Sequence, residues 1–362
     1  VEQEGKRKLR CGFIGCGPHA SQCLYPALAY IPEVELVAVC DRNQERAQWG
    51  ARTFGAERCY TDIEAMLAGE SLDAAFVVGP PQMHFEVGQR CLEAGLHLFV
   101  EKPPAPTFAQ ARQLAHSARQ TGRLAMVAFC RRHSPCYQIA KRISRRTGFG
   151  PITLIEIRFT CGSWTPQMWG LSTPLSFLIG VASHMFDLVR YLAGEVVAVY
   201  ARWRQTEEAR FGFAITLECH NGALALLNIN SLETWHGLHE RLTLTGDGHF
   251  LEAEDQLRLR YYPAEARWAA GERPESAETV TSGFLQGWER TGTYVSVPEG
   301  LGTSGYRQEL AHFVQCVLRG QQPEPGLEDG AEALRIAEAA WESVNSGRRI
   351  KLPGGQDARN SD

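Results

Sequence analysis

The sequence predicts an α/β protein: a doubly wound parallel sheet followed by an α+β domain with an open, mostly antiparallel sheet. Three observations carry that prediction. A short apolar run ends in a glycine-rich turn, Gly15-Cys16-Gly17-Pro18-His19-Ala20. Strand-like and helix-like segments then alternate over about the first 130 residues. From residue 131 the pattern changes to longer alternating strands with hairpin signals. These shifts place a dinucleotide-binding domain at 8–130 and a second, α+β domain at 131–353, with flexible tails at 1–7 and 354–362.

The opening strand is Leu9–Ile14, buried because Phe13 and Ile14 are apolar. The turn after it has the form G-x-G-x-x-A, and each position has a physical reason. Gly15 permits the tight turn, Gly17 lets backbone approach a pyrophosphate, and Ala20 keeps helix and strand close. A helix from Ala20 to Tyr30 would turn its N-terminal N–H groups toward the phosphates. The second strand, Val34–Cys40, ends on Asp41, at about the spacing of an acid that accepts ribose hydroxyls. Asp41 points to NAD. Arg42 beside it keeps NADP open, because a guanidinium can accept a 2′-phosphate.

Further strands fall at Ala74–Val78, His97–Val100 and Leu124–Ala128. They are short, continuous and apolar, as expected when both faces of a sheet are covered. Helices fill the gaps at Asn43–Thr53, Ile63–Leu67, Met83–Ala94 and Phe108–Arg119, with Gly95 and Gly122 as stops. Ligands of such sheets bind beyond the carboxyl ends of the strands. That rule selects Gly15–Ala20, Asp41, Gly79-Pro80-Pro81 and Glu101-Lys102-Pro103. A lysine there, followed by Pro103, Pro104 and Pro106, points into a cofactor cleft or stands solvated in a proline-rich linker.

The second domain opens with a helix at Ser134–Arg145 and a half-buried strand at Thr153–Thr160. Leu175–Leu192 is a helix with a core-facing stripe. Strands follow at Val196–Trp203, Phe211–His220 and Ala223–Ser231, and Asn221-Gly222 between the last two is a hairpin signal. Arg241–Thr245, Phe250–Ala253 and Leu257–Tyr262 extend the sheet. The polar stretch Pro263–Gly302, with Trp268, Phe284 and Trp288, is a lid or a contact arm. Helices at Ser304–Arg319 and Glu328–Ser346 close the chain, the second ending at Gly347.

Composition sets limits. The 362 residues are 44% apolar and 22% charged, enough for a large core in about two domains. A net charge of −4 offers no general attraction to nucleic acid or an anionic membrane. No apolar run long enough to span a bilayer stands out, and no signal peptide opens the chain. The polar Val1–Lys8, without an initiator Met, reads as a trimmed start. Eleven scattered cysteines imply reduced thiols and a cytoplasmic location. Cys130-x-x-His133-x-x-Cys136 has no fourth ligand nearby, and Ser134-Pro135 reads as a helix start, so no metal is expected.

Together these pieces resemble the glucose–fructose oxidoreductase/inositol dehydrogenase (Gfo/Idh/MocA) family. The resemblance rests on Gly15-Cys16-Gly17, Val39-Cys40-Asp41, Pro80-x-x-x-His84, Glu101-Lys102-Pro103, Arg131-Arg132, Ser183-His184-Met185-Phe186-Asp187 and Gly347-Arg348. It implies hydride transfer between NAD(P) and a sugar, cyclitol or related polyol, in a homodimer or homotetramer. It implies that Lys102 contacts substrate near the nicotinamide and that His184 is the general acid/base. Many members carry an aspartate four residues before that histidine. Here the position is Gly180, so a second reading stays open: a dinucleotide-binding sensor or assembly subunit without turnover. His84 reads as a helix-start residue beside the cofactor. Arg132, Trp164 and Asp187 are candidate substrate contacts, Arg132 also as a domain-interface residue and Asp187 also as a structural partner.

Overall fold

The computed structural model describes residues 8–162, 173–207, 209–233, 237–262, 283–284 and 304–352. Trp164, both tails and most of 263–302, with Trp268 and Trp288, therefore lie outside the described residues. The chain forms two compact units: Val1–His133 with Val295–Arg335, and Ser134–Tyr294 with Ile336–Asp362.

The first unit holds a six-stranded parallel sheet. Its strands are β1 (Leu9–Ile14), β2 (Val34–Cys40), β3 (Arg58–Tyr60), β4 (Ala74–Val77), β5 (His97–Glu101) and β6 (Ala125–Ala128). Their order in space is β3-β2-β1-β4-β5-β6, which places the topological switch point between β1 and β4. Phe13 stacks on Tyr25 at 3.9 Å and on Phe76 at 5.7 Å, and Phe76 meets Phe99 at 5.4 Å. Phe313, from the helix Tyr306–Arg319, packs edge-on against both Phe76 and Phe99 at 5.6 Å. A helix far along the chain thus returns to cover this sheet. Removing a buried ring of this kind costs about 3–5 kcal/mol.

The helix after the glycine turn is irregular: Ala20–Leu24 is a π-helical turn, continued as α-helix over Tyr25–Leu28. The later helices follow their signals. Asn43 caps Gln44–Phe54 through its side chain, and Thr107 caps Phe108–Thr121. Gly95 and Gly122 take left-handed conformations where helices end.

The second unit is built on a nine-stranded sheet. Its strands are β7 (Leu154–Cys161), β8 (Val196–Glu207), β9 (Arg210–Cys219), β10 (Leu224–Asn230), β11 (Leu238–Thr245), β12 (Phe250–Glu254), β13 (Arg258–Tyr262), β14 (Gly283–Phe284) and β15 (Ile350–Lys351). Among the described residues, only β7 and β10 pair in parallel; every other pairing in this sheet is antiparallel. The hairpin at Asn221-Gly222 joins β9 to β10, with Gly222 at φ +88°. The helix Leu327–Ser346 reaches this unit through Trp341, 5.9 Å from Trp203, and through Ser343, which accepts the Ala201 N–H at 2.9 Å.

One helix among the described residues, Pro174–Ala193, is long and apolar enough to cross a membrane by length and composition. This differs from the sequence expectation that no run is long enough. Some 83% of its apolar window is buried inside the fold, which is how a core helix behaves.

Candidate active site

The glycine turn is set by contacts that tolerate no side chain. Gly15 has φ +101°, and a Cβ there would stand 1.8 Å from the Val78 carbonyl oxygen at the end of β4. Gly17 is the opposite case: among the described residues, a Cβ there would meet no atom within 4 Å. The backbone at Gly17 therefore faces open space while Gly15 is locked against its neighbour strand. Ser21 N–H donates to the Gly17 carbonyl at 3.0 Å, so the first helical turn begins immediately beyond. Pro18 and His19 are exposed and Ala20 is buried. This arrangement fits a dinucleotide pyrophosphate: open room over a glycine, at a helix start, at the switch point of a parallel sheet.

Asp41 does more than end β2. Its Oδ2 accepts the Cys16 N–H and its Oδ1 accepts the Asn43 N–H, each at 2.8 Å. Each carboxylate oxygen keeps a further lone-pair direction for a hydroxyl. Arg42 is exposed beside it.

His84 lies inside the helix Pro81–Glu93, buried, with both ring nitrogens engaged. Its Nε2 accepts the Gly79 N–H at 2.8 Å, so Nδ1 carries the hydrogen and donates to the Pro103 carbonyl at 2.7 Å. Burial pushes this imidazole down to about 4. A neutral, doubly bonded ring is a brace between the loop after β4 and the loop after β5, with no proton to offer near neutral pH. Pro80 precedes the helix as its N-cap residue in an extended conformation.

Glu101 and Lys102 end β5. Glu101 is buried, and its Oε1 lies 3.0 Å from His19 Nε2. Partial loss of solvent around the His19 ring opposes a charge on it, but Glu101 outweighs this and raises the imidazole to about 10. Burial likewise opposes the Glu101 carboxylate; His19 and then Lys102 reverse this and hold it below its usual value. Lys102 is half-buried, and burial is the largest influence on it, lowering its ammonium below the usual value against the pull of Glu101. An amine made easier to deprotonate, next to an ionised acid, suits proton exchange. Gly330 makes this arrangement tight: a Cβ there would meet Pro104 at 2.7 Å and Val127 at 2.9 Å.

Arg132 follows β6 in the turn Cys130–His133 and is buried. Its guanidinium donates to Asp329 Oδ1 at 3.0 Å, and Asp329 Oδ2 accepts the Gly326 N–H at 3.0 Å. His133 bonds the Glu324 carbonyl at 3.1 Å, and Cys136 Sγ approaches the Arg258 carbonyl at 3.7 Å. Among the described residues no group of three or more His, Cys, Asp or Glu is placed to hold a metal ion.

In the second unit His184 and Asp187 are buried on one helix, Ser183–Ala193. Gly180, where the sequence lacks an aspartate, falls in a π-helical turn, Leu178–Ala182. Sequence reasoning missed that turn and also missed Glu309, buried on the helix Tyr306–Arg319. The signal for Glu309 was a lone acid followed by Leu310, Phe313 and Val314 on an apolar helix face.

The fold and the glycine-turn site define a dinucleotide-binding oxidoreductase. Two family descriptions match the chain: "Oxidoreductase family, NAD-binding Rossmann fold" over residues 9–129 and "Oxidoreductase family, C-terminal alpha/beta domain" over residues 145–352. The chain belongs to the Gfo/Idh/MocA oxidoreductase family. It is similar to a scyllo-inositol 2-dehydrogenase (NAD(+)) of Bacillus subtilis, 24% identical, covering 96% of this chain and 97% of that protein. It is equally similar to a D-apiose dehydrogenase of Paraburkholderia graminis, 24% identical, covering 96% and 90% respectively. A solved levoglucosan dehydrogenase in complex with NADH shares the fold, with a TM-score of 0.79 at 21% identity, covering 96% of this chain and all of that one. The chain is thus an NAD(P)-dependent dehydrogenase by family, with an NAD-binding Rossmann domain.

Proposed function

We propose that the protein oxidises a hydroxyl of a sugar or cyclitol, or reduces the matching ketone, with NAD as cofactor and NADP left open by Arg42. The observation that carries this reading is Lys102, held half-buried beside ionised Glu101 at the carboxyl end of β5, next to the switch point. Relatives named for inositol and apiose dehydrogenation support the substrate class.

The nicotinamide supplies the hydride acceptor or donor. Around it, Gly15, Gly17, Pro18, His19 and Ala20 cradle the pyrophosphate, and Asp41 accepts ribose hydroxyls. Gly79, Pro80 and His84 shape the wall after β4. Lys102 polarises the reacting oxygen and exchanges its proton, and Glu101 provides the counter-charge. His184 assists in proton transfer or replaces Lys102 in that role, and Asp187, on the same helix, is its hydrogen-bond partner or a structural one. Arg132 braces the turn after β6 through Asp329.

The outer face of the nine-stranded sheet exposes Tyr200, Leu224 and Leu226, which suits association into a homodimer or homotetramer. All eleven cysteines are thiols, in keeping with a reducing cytoplasm. The test is nicotinamide absorbance with NAD and NADP against sugars, inositols and their keto forms. Turnover of any of them supports the reading. NAD binding with silence across the panel counts against it and favours the non-turnover alternative.

A further inference from the structure

Glu309 is a carboxyl group without an explanation in the binding site as described so far. It sits on the helix Tyr306–Arg319, fully buried, and neither side-chain oxygen has a hydrogen-bond partner among the described residues. Its position is fixed by its neighbours on the same helix face. Phe313, four residues on, packs against Phe99 at 5.6 Å. Tyr306, three residues back, meets the His19 ring at 5.7 Å, and His19 holds Glu101 at 3.0 Å. Phe99 and Glu101 lie two apart on β5 and so point to the same face of the sheet. Between Phe313 and Tyr306, Glu309 is therefore directed at the level of Glu101 and Lys102.

The groups around it set its charge. Burial pushes the Glu309 carboxyl well above its usual range, and the Glu101 charge pushes it further; Lys102 pulls the other way and Cys23 adds to the rise. Cys130 and Arg131, on the turn after β6, also act on Lys102, and Tyr306, whose ring meets that of His19, belongs to the same cluster. Two acids in one enclosure have been driven apart, Glu101 ionised and Glu309 neutral, an arrangement that marks proton chemistry.

We propose that Glu309 distinguishes the oxidised cofactor from the reduced one. It releases its proton when the cationic ring of NAD+ is bound at Lys102 and keeps it when the neutral ring of NADH is bound. The inference rests on the reading that places the nicotinamide at Lys102. The two forms of the ring differ by one positive charge, and a positive charge arriving in a poorly solvated enclosure favours the carboxylate. The balance is one carboxylic acid and NAD+ giving one carboxylate, bound NAD+ and one proton to solvent. Binding of NAD+ then strengthens as pH rises, by up to about tenfold per pH unit, while NADH binding gains nothing from this group.

The test is titration calorimetry of NAD+ and of NADH into the full chain, at neutral and mildly alkaline pH, in two buffers of different ionisation enthalpy. The buffer difference counts protons. The wild type should release more protons with NAD+ than with NADH. Glu309→Gln should bind NADH as the wild type does, lose that excess, and show a flattened pH dependence for NAD+. Glu309→Met, equally unable to ionise, should do the same and serves if the glutamine variant does not fold. Full excess retained in either variant, or equal proton release for both cofactor forms in the wild type, overturns the proposal. If neither form binds, the NAD site assignment itself falls, and the inference with it.

Discussion

Asp41 accepts the backbone N–H of Cys16 on Oδ2 at 2.8 Å, so the acid that ends β2 also holds the glycine turn that follows β1. Its Oδ1 does the same for Asn43. Losing the two hydrogen bonds that these N–H groups donate to the carboxylate costs up to about 1.5–3 kcal/mol each. Asp41→Ala should therefore lower the denaturant midpoint of the cofactor-free protein and also weaken NAD binding by tenfold or more. Denaturation without cofactor and calorimetry with it separate the two effects. A variant of unchanged stability would mean these hydrogen bonds are not what organises the turn.

The two glycines of the turn should fail differently. Gly15→Ala forces a Cβ within 1.8 Å of the Val78 carbonyl at φ +101°, so it should destabilise the first unit whether or not cofactor is present. Gly17→Ala meets nothing within 4 Å, so its melting temperature should match the wild type. It should nevertheless lose NAD affinity, because the added methyl occupies the space left for the pyrophosphate. Wild-type affinity in Gly17→Ala would move the phosphates elsewhere.

His84 supplies an acid-sensitive term. Its ordinary value of 6.5 applies to the unfolded chain, while burial lowers it to about 4 in the fold. Stability from the neutral ring is thus fully present above about 6.5 and is lost as pH falls toward 4. The loss is on the order of 3 kcal/mol at the low end of that window. His133, lowered to about 3, adds to the same decline. Urea denaturation from neutral to acid pH should show the fall, and His84→Gln should make it shallower. An unchanged slope would contradict the brace.

Arg132 is tested by its partner. Asp329→Ala leaves the Arg132 guanidinium buried without its carboxylate, and breaking a buried pair costs about 3–5 kcal/mol. If Arg132 is a brace, Asp329→Ala and Arg132→Met should lower the melting temperature by similar amounts, and the double change should cost little more than either alone. Purely additive effects would show that the two act separately and free Arg132 for a substrate role.

Much of the fold was legible because its strands are apolar and bounded by turn residues. Leu9–Ile14 and Val34–Cys40 stand in the structure as the sequence predicts them. Arg58–Tyr60 was not legible: three residues long, with its first two exposed, it has no apolar run to announce it. Ile350–Lys351 is shorter still and exists only through pairing with β8. The π-helical turn at Ala20–Leu24 leaves no mark in hydrophobic spacing. The return of Tyr306–Arg319 to the first sheet depends on Phe313 meeting Phe76 and Phe99, a contact across more than two hundred residues that periodicity does not encode. For the same reason the motifs picked out Glu101 and Lys102, whereas Glu309 became visible only beside them.

Lys102 is proposed to carry the proton of the reaction. The most direct measurement is single-turnover nicotinamide absorbance with a substrate found in the panel, comparing wild type with Lys102→Met, alongside NAD binding by calorimetry. Turnover should fall by at least about two orders of magnitude, the usual worth of a positioned acid–base group. NAD affinity should change little. A Lys102→Met protein that binds NAD and turns over near the wild-type rate would contradict the account.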